Sequence, residues 1–163
     1  MNGVSAMLSA VKRIIGLIDE VLMGVEVVVL GVTGVTIIVA LLYSAIVRYY
    51  LKGSFPEAPE LTWFAYTWMV FVGSSAVLRT GDHPYVGFIR DKHSRIYKTA
   101  IYTVSIVYLV AIIYAMLASP KIVWMQKTVV LGLPLRYFYY ALILGFSFMI
   151  IRYIMKIAKL FIG

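Results

Sequence analysis

The amino-acid sequence predicts an all-α integral membrane protein, a single membrane domain over residues 1–163 with four transmembrane helices and two short amphipathic interfacial helices. Composition is the first reason, since 63% of the residues are hydrophobic and 13% are charged. A soluble domain is about half apolar and about a quarter charged, so this chain has too few charges to cover its surface with polar groups. The second reason is a set of long apolar runs that are continuous rather than alternating, which favours membrane-spanning helices over β-strands.

The four apolar runs give the transmembrane helices in order. We predict spans over residues 21–47, 61–78, 99–119 and 131–151. A helix needs about 20 apolar residues to cross the roughly 30 Å hydrocarbon layer, and each run comes close to that length. A charged residue or a proline closes each run, and these residues are Arg48, Arg79, Pro120 and Arg152.

Residues 1–20 and 84–97 are predicted to be the interfacial helices, one at the N-terminus and one between the second and third spans. In both segments apolar residues recur at helical spacing on one face, while cationic residues such as Lys12 and Arg95 lie on the other. Helices of this kind lie flat at the lipid headgroups. A plain connecting loop is the alternative for each segment.

The distribution of basic residues predicts the orientation. In a four-span chain the N-terminal segment, the middle loop and the C-terminal end share one side, and here they carry ten Lys and Arg residues. The loops on the other side carry four, or five with Arg136. The positive-inside rule therefore places both termini in the cytoplasm. Contact with anionic membrane lipid explains the net charge of +8, and no nucleic-acid partner is predicted because no basic stripe lies outside the loops.

The sequence predicts no enzyme, with no catalytic, cofactor-binding or metal-binding residues. The chain has no cysteine, which excludes thiolate metal sites and iron–sulfur clusters. Its two histidines, His83 and His93, lie outside the spans, so a haem held between helices by histidines is not expected. Asp82 and Asp91 accompany them, but the spacing matches no metal motif and basic residues crowd the segment. A hydrated loop is the better interpretation.

Two charged residues near the ends of spans leave alternatives open. Glu26 could be the working carboxylate of a homodimeric small multidrug or cation antiporter, since ionisable residues inside membranes are functional by default. Its place near the start of the first span favours a simpler role in headgroup water, beside the helix N-terminus. Arg136 lies about one turn inside the fourth span, where it can reach outward or pair with Glu57 or Glu60.

The charged residues on the outer side form a candidate docking surface for a soluble partner, because complementary charges guide such encounters. They are Lys52, Glu57, Glu60, Lys121, Lys127 and Arg136. Ordinary solvated loops would have the same composition. Within the spans, glycines favour close helix contacts, since lipid provides no hydrophobic drive for association. The small number of polar groups in the spans favours a subunit over a complete transporter.

Two stretches carry a resemblance to a known family. The second span, "ELTWFAYTWMVFVGSSAVLRTGDHPYV", and the fourth, "LGLPLRYFYYALILGFSFMIIRYI", resemble the small membrane subunit of tripartite ATP-independent periplasmic (TRAP) transporters, the DctQ-like family. The second span shares Glu60, Trp68, Phe71, Gly73 and Ala76, followed by the landmarks Arg79, Gly81 and His83. The fourth shares Gly132, Leu133, Pro134, Tyr140, Gly145 and Met149. Pro84 and Gly87 depart from the pattern that follows the histidine.

The resemblance implies a small, non-catalytic subunit in the bacterial inner membrane, without cofactors. Its partners would be a large multi-span subunit, which carries the substrate and sodium sites, and a periplasmic substrate-binding protein. The small subunit would pack on the scaffold of the large one, and the candidate contacts are Gly31, Gly34, Trp68, Gly73 and Gly145. Substrates in the family include C4-dicarboxylates, sialic acid and similar carboxylates, and no residue of this chain selects one.

Overall fold

The computed structural model describes residues 2–80, 95–119 and 124–162, and most of these residues lie in four α-helices. The helices are α1 (Asn2–Tyr49), α2 (Glu57–Thr80), α3 (Arg95–Leu117) and α4 (Arg136–Ile162). Each contains a segment long and apolar enough to cross a membrane. The predicted all-α membrane fold with four spans is therefore confirmed.

α1 is a single unbroken helix, and it contains both nearly all of the segment predicted as an interfacial helix (residues 1–20) and the predicted span from residue 21. Its length is 48 residues. At 1.5 Å per residue it extends about 72 Å, far more than the roughly 30 Å of hydrocarbon. No proline separates the amphipathic segment from the apolar run, so the helix continues through Asp19 and Glu20.

The N-terminal part of α1 packs against the C-terminal part of α4. Ile15 and Leu22 are buried together with Met155 of α4, and Val11 and Phe148 lie against them. This contact occupies part of the apolar face that the sequence predicts to lie on lipid. The segment before the first span is therefore built into the helix assembly.

The fourth helix begins and ends later than the sequence predicts. The prediction is a span over residues 131–151, whereas α4 covers Arg136–Ile162. Residues 126–135 instead form a hairpin, in which the Leu135 N–H donates to the Gln126 carbonyl oxygen (2.8 Å). Gly132 has a φ of 63°, and Pro134 has no N–H to donate, so this apolar segment turns before the helix begins.

The connection between the second and third spans is largely outside the described residues, which stop at residue 80 and resume at residue 95. The interfacial helix predicted over residues 84–97 falls mostly in this part of the chain. Its last three residues belong to α3, which begins at Arg95.

The helices form an open layer in the spatial order α1–α2–α4–α3. α2 packs along both α1 and α4, and α3 packs on α4. α1 also reaches α4, through the contact near Ile15 and Leu22. Within the described residues α3 has no comparable contact with α1 or α2. Large apolar side chains such as Val32 of α1 and Val107 of α3 are therefore exposed on the flanks, where lipid or another protein must cover them.

α2 and α4 approach most closely at Gly145. A Cβ atom added to this buried glycine would lie 2.5 Å from the carbonyl oxygen of Phe71. Next to this point the rings of Phe71 and Phe146 meet edge to face, with centroids 5.3 Å apart. Glycine is therefore required here by the backbone of the facing helix, which cannot move aside as a side chain can.

α1 and α2 meet at two further glycines. A Cβ atom on Gly34 would lie 3.3 Å from Cε of Met69, and one on Gly73 would lie 3.2 Å from Cδ2 of Leu30. Both distances are tight for carbon contacts, but the neighbouring atoms are the ends of flexible side chains. These glycines let the two helices approach closely without the absolute restriction present at Gly145.

These contacts involve three of the glycines predicted to contact the large subunit. Gly34, Gly73 and Gly145 already serve helix contacts within this chain. At Gly31, by contrast, an added Cβ atom would meet nothing within 4 Å. Of the four glycines in that set, Gly31 is the one that keeps open space for the approach of another helix.

We expect Gly145→Ala to destabilise the protein by about 1–3 kcal/mol, because the new Cβ atom forces α2 and α4 apart. The measurement is the midpoint of thermal unfolding in detergent micelles. Gly31→Ala is the matched control, since its Cβ atom meets open space and alanine favours a helix over glycine. Equal midpoints for the two variants would contradict the close approach at Gly145.

Candidate functional site

Four charged side chains and one hydroxyl group meet where α1, α2 and α4 come together. We call this group the ion-pair cluster, and its members are Asp19 and Glu26 of α1, Ser75 and Arg79 of α2, and Arg152 of α4. Arg152 lies at the centre. Its Nη2 atom donates to Oε2 of Glu26 (2.6 Å) and its Nη1 atom donates to Oδ1 of Asp19 (2.7 Å).

The remaining hydrogen bonds close the cluster. Nε of Arg152 lies 3.2 Å from Oε1 of Glu26 and 3.0 Å from Oγ of Ser75. Nε of Arg79 donates to the second oxygen of Asp19 at 3.0 Å. Asp19 therefore bridges two arginines, while both oxygens of Glu26 are held by one guanidinium group.

The centre of the cluster is removed from solvent. The exposed fraction is 1% for Glu26, 2% for Arg152 and 0% for Ser75. Charges in such a place are tolerated when they are paired and hydrogen-bonded, because unpaired buried charges cost several kcal/mol. Two carboxylates meet two guanidinium groups here, so the cluster is formally neutral and its arrangement is that of a structural tie between three helices.

Helical spacing explains why these side chains converge. Asp19 and Glu26 are seven residues apart and thus lie on one face of α1 after two turns. Ser75 and Arg79 are four residues apart on α2 and also share a face. The two faces are turned toward Arg152, which supplies donors to both helices.

The sequence does not reveal the role of Arg152, because a basic residue at the end of an apolar run is ordinarily a boundary residue in contact with headgroups. The predicted place of Glu26 in headgroup water is wrong as well. Its side chain is buried against Arg152. The signal that could have found the cluster is the pair of carboxylates at helical spacing on α1, which requires cations on neighbouring spans.

Glu60, predicted as a docking charge, is engaged within the protein. Its two carboxylate oxygens accept the backbone N–H groups of Val130 (2.9 Å) and Leu131 (2.8 Å) in the 126–135 hairpin. Of the two alternatives for Arg136, a pairing with Glu60 is therefore not what the structure shows. Arg136 instead lies over the ring of Tyr137, with Cζ 5.3 Å from the ring centroid.

The other predicted docking residues are spread along the same end of the helices. Lys52 is exposed in the α1–α2 connection, with a left-handed φ of 47°. Glu57 is partly exposed in the first turn of α2, and Lys127 is exposed in the hairpin. Lys121 lies outside the described residues, as do the landmarks Gly81 and His83. The landmark Arg79 belongs to the ion-pair cluster at the opposite end of α2.

Trp68 lines an apolar groove between α1 and α2. Val28, Val32, Thr33 and Phe64 form its other walls. The Nε1 atom of Trp68 is buried and has no hydrogen-bond acceptor among the described residues. A donor in an apolar groove is satisfied best by an acceptor from a neighbouring molecule, so this groove is the second candidate contact besides Gly31.

A family model matches most of the chain. It is described as "DctQ: Tripartite ATP-independent periplasmic transporters, DctQ component", and it matches residues 37–163. The matched range contains α2, α3, α4 and the end of α1, and so includes Arg79 and Arg152. Asp19 and Glu26, the two acids of the cluster, precede it. A search of curated proteins found no match.

We expect Arg152→Met to destabilise the protein by about 3–5 kcal/mol, because it leaves Glu26 buried without a counter-charge. The double variant Glu26→Leu/Arg152→Met should be more stable than this single variant, since it removes both buried charges together. Thermal unfolding in detergent measures both effects.

Lys159→Met is the matched control for Arg152→Met. Lys159 is also a cation of α4 but is exposed, so its replacement should change the stability by no more than about 0.5 kcal/mol. A double variant as unstable as the single one would show that the buried charges of Arg152 and Glu26 do not depend on each other.

Proposed function

The chain belongs to the DctQ component family of tripartite ATP-independent periplasmic transporters, and on this premise we propose that it is the small, non-catalytic membrane subunit of a sodium-driven transporter for organic acids. It packs on the scaffold of the large subunit, which binds the substrate and sodium. It also helps to dock the periplasmic binding protein that delivers a C4-dicarboxylate, sialic acid or a similar carboxylate. It lies in the bacterial inner membrane with both termini in the cytoplasm.

The observation that carries the proposal is that polar groups within the spans bond to one another or to their own helices. The ion-pair cluster is neutral and satisfied by its own members. Several hydroxyl groups of the spans donate to carbonyl oxygens of their own helices, as Thr33 does to Val29 and Ser74 to Val70, each at 2.7 Å. These groups are not arranged to line a polar pathway, which supports the assignment of substrate movement to a partner.

The open layer supports a partner along its flank. An arrangement in which α3 contacts α4 alone among the described helices leaves large apolar side chains exposed, whereas a closed bundle would bury more of them. Gly31 offers open space on α1, and the groove of Trp68 offers an unused donor between α1 and α2. We therefore place the large subunit against the α1–α2 side.

The antiporter alternative has less support. A transporting carboxylate must exchange its partners during each cycle, so it needs access to the transported ion. Glu26 is held by Arg152 through both oxygens and is 1% exposed. The carboxylate is thus placed to stabilise the fold.

Docking of the binding protein is assigned to the exposed charges of the α1–α2 connection. Lys52 is exposed and Glu57 lies in the first turn of α2. Glu60 is not part of this surface, since the 126–135 hairpin uses both of its oxygens. Opposite charges close together can guide and orient a charged partner with little net affinity of their own.

Reconstitution tests the proposed function. We expect liposomes that contain this chain alone to take up no labelled organic acid under an inward sodium gradient. Liposomes that contain this chain, the copurified large subunit and the binding protein should take it up. Uptake by the chain alone would contradict the proposal, and so would a purification in which the affinity-tagged chain brings no large membrane protein with it.

Charge reversal tests the docking surface. Lys52→Glu and Glu57→Lys should each raise the concentration of binding protein needed for half-maximal uptake several-fold, with a smaller effect at high salt. Lys159→Glu is the control, because this exposed cation lies at the other end of the helices and should leave that concentration unchanged. If all three variants behave alike, binding-protein docking does not use the α1–α2 connection.

A further inference from the structure

The 126–135 hairpin has a tip made of exposed apolar side chains. Val129 is 96% exposed, and Val130 and Leu131 beside it are also exposed. From Thr128 to Leu135 the segment carries no charge, while Lys127 and Arg136 stand immediately on either side. An apolar tip of this kind is unfavourable in water, so it requires either lipid or a protein surface around it.

The backbone of the hairpin is suited to an environment with little water. The N–H groups of Thr128 and Leu135 donate to carbonyl oxygens across the hairpin, and that of Leu133 donates to the Thr128 hydroxyl group. Those of Val130 and Leu131 donate to the carboxylate of Glu60. Pro134 has no N–H. Five of the nine backbone N–H groups of residues 126–135 thus have acceptors within the protein, which suits a backbone near hydrocarbon.

Glu60 sets the depth of the tip relative to the spans. It lies in the first turn of α2 and holds the backbone of residues 130 and 131 beside that turn. The spanning segment Glu57–Arg79 has 23 residues. It therefore rises about 34 Å, close to the roughly 30 Å thickness of the hydrocarbon layer. A segment of this length that crosses the membrane has its first turn near the boundary between hydrocarbon and headgroups, and the hairpin lies beside that turn.

The surroundings of the hairpin match a membrane boundary. Trp63 is exposed on α2, and its ring contacts that of Phe138 with centroids 6.0 Å apart. The guanidinium group of Arg136 lies over Tyr137. Aromatic residues gather at the level of the headgroups, and cations next to them attract lipid phosphates.

We propose that the 126–135 hairpin is a membrane anchor, with Val129, Val130 and Leu131 inserted between the headgroups and the upper part of the acyl chains. Under the orientation proposed above this is the outer leaflet. Lys127 and Arg136, which the sequence predicts as docking charges, contact lipid phosphates instead. The anchor fixes the level of α2 and α4 in the membrane, because Glu60 ties it to α2 and the chain leads directly from it into α4. The inference needs only the four spans and does not depend on the large subunit.

Spin labels on single cysteines test this anchor, and the chain contains no cysteine of its own. Val129→Cys is labelled with a nitroxide in the full-length chain, reconstituted in vesicles of phosphatidylethanolamine and phosphatidylglycerol. Oxygen, which is concentrated in lipid, and a water-soluble nickel chelate serve as the two relaxation agents. Two reference positions give the limits: Val35→Cys on the exposed face of α1 for lipid, and Ser54→Cys in the α1–α2 connection for water.

At Val129→Cys, the ratio of oxygen accessibility to nickel accessibility should be several-fold higher than at Ser54→Cys. It should approach the ratio at Val35→Cys. Adding Glu60→Gln should shift this ratio toward water, because an amide has one acceptor oxygen where the carboxylate has two. A ratio equal to that of Ser54→Cys overturns the anchor. Protection from both agents in the complex copurified with the tagged chain also overturns it, since a protein surface then covers the tip. An unchanged ratio in the Glu60→Gln background refutes the role of Glu60.

Discussion

The guanidinium group of Arg152 is the constraint on which the arrangement of the helices depends. A cation that is 2% exposed must receive acceptors from every side, and here they come from α1 and α2 while the cation itself belongs to α4. The acceptors can reach it only if the three helices keep a single register and rotation. Apolar contacts in lipid are weakly directional, so this charged centre supplies specificity that they lack.

The open layer follows from what each helix offers its neighbours. α2 faces α1 through Gly73 and α4 through Phe71, whose backbone is approached by Gly145, so it takes the central place. α3 shares no member of the ion-pair cluster and joins α4 through apolar contacts, among them Leu109 with Tyr153. The polar groups thus pair with one another in the middle of the assembly, and apolar surface remains outside. Such an arrangement suits a subunit that joins a larger membrane complex. At the end of α2 opposite the cluster, Glu60 likewise holds a loop, through the backbone N–H groups of Val130 and Leu131.

Much of the fold can be predicted from the sequence, because a chain in lipid must use continuous apolar helices and these leave long uncharged runs. The predicted helix bounds differ from the structure where an apolar run and a helix do not cover the same residues. The helix of α1 continues through charged residues, and the run at residues 131–135 turns at Gly132 and Pro134 before α4 begins. The role of Arg152 could not be predicted, since its partners lie 77 to 133 residues away along the chain. Periodicity describes each helix, but it carries no information on which helices become neighbours.

The separation of Glu26 and Arg152 also has a consequence for how the protein is made. The two residues are 126 positions apart, so at ordinary rates of synthesis the carboxylate emerges about 6–25 s before its counter-charge. During this interval α1 and α2 are inserted without the residue that will join them. Glu26 near the start of its span can wait in headgroup water, the environment that the sequence alone predicts for it. Glu26 gains its counter-charge only when the last helix is made, so a chain truncated before Arg152 keeps this acid unmatched.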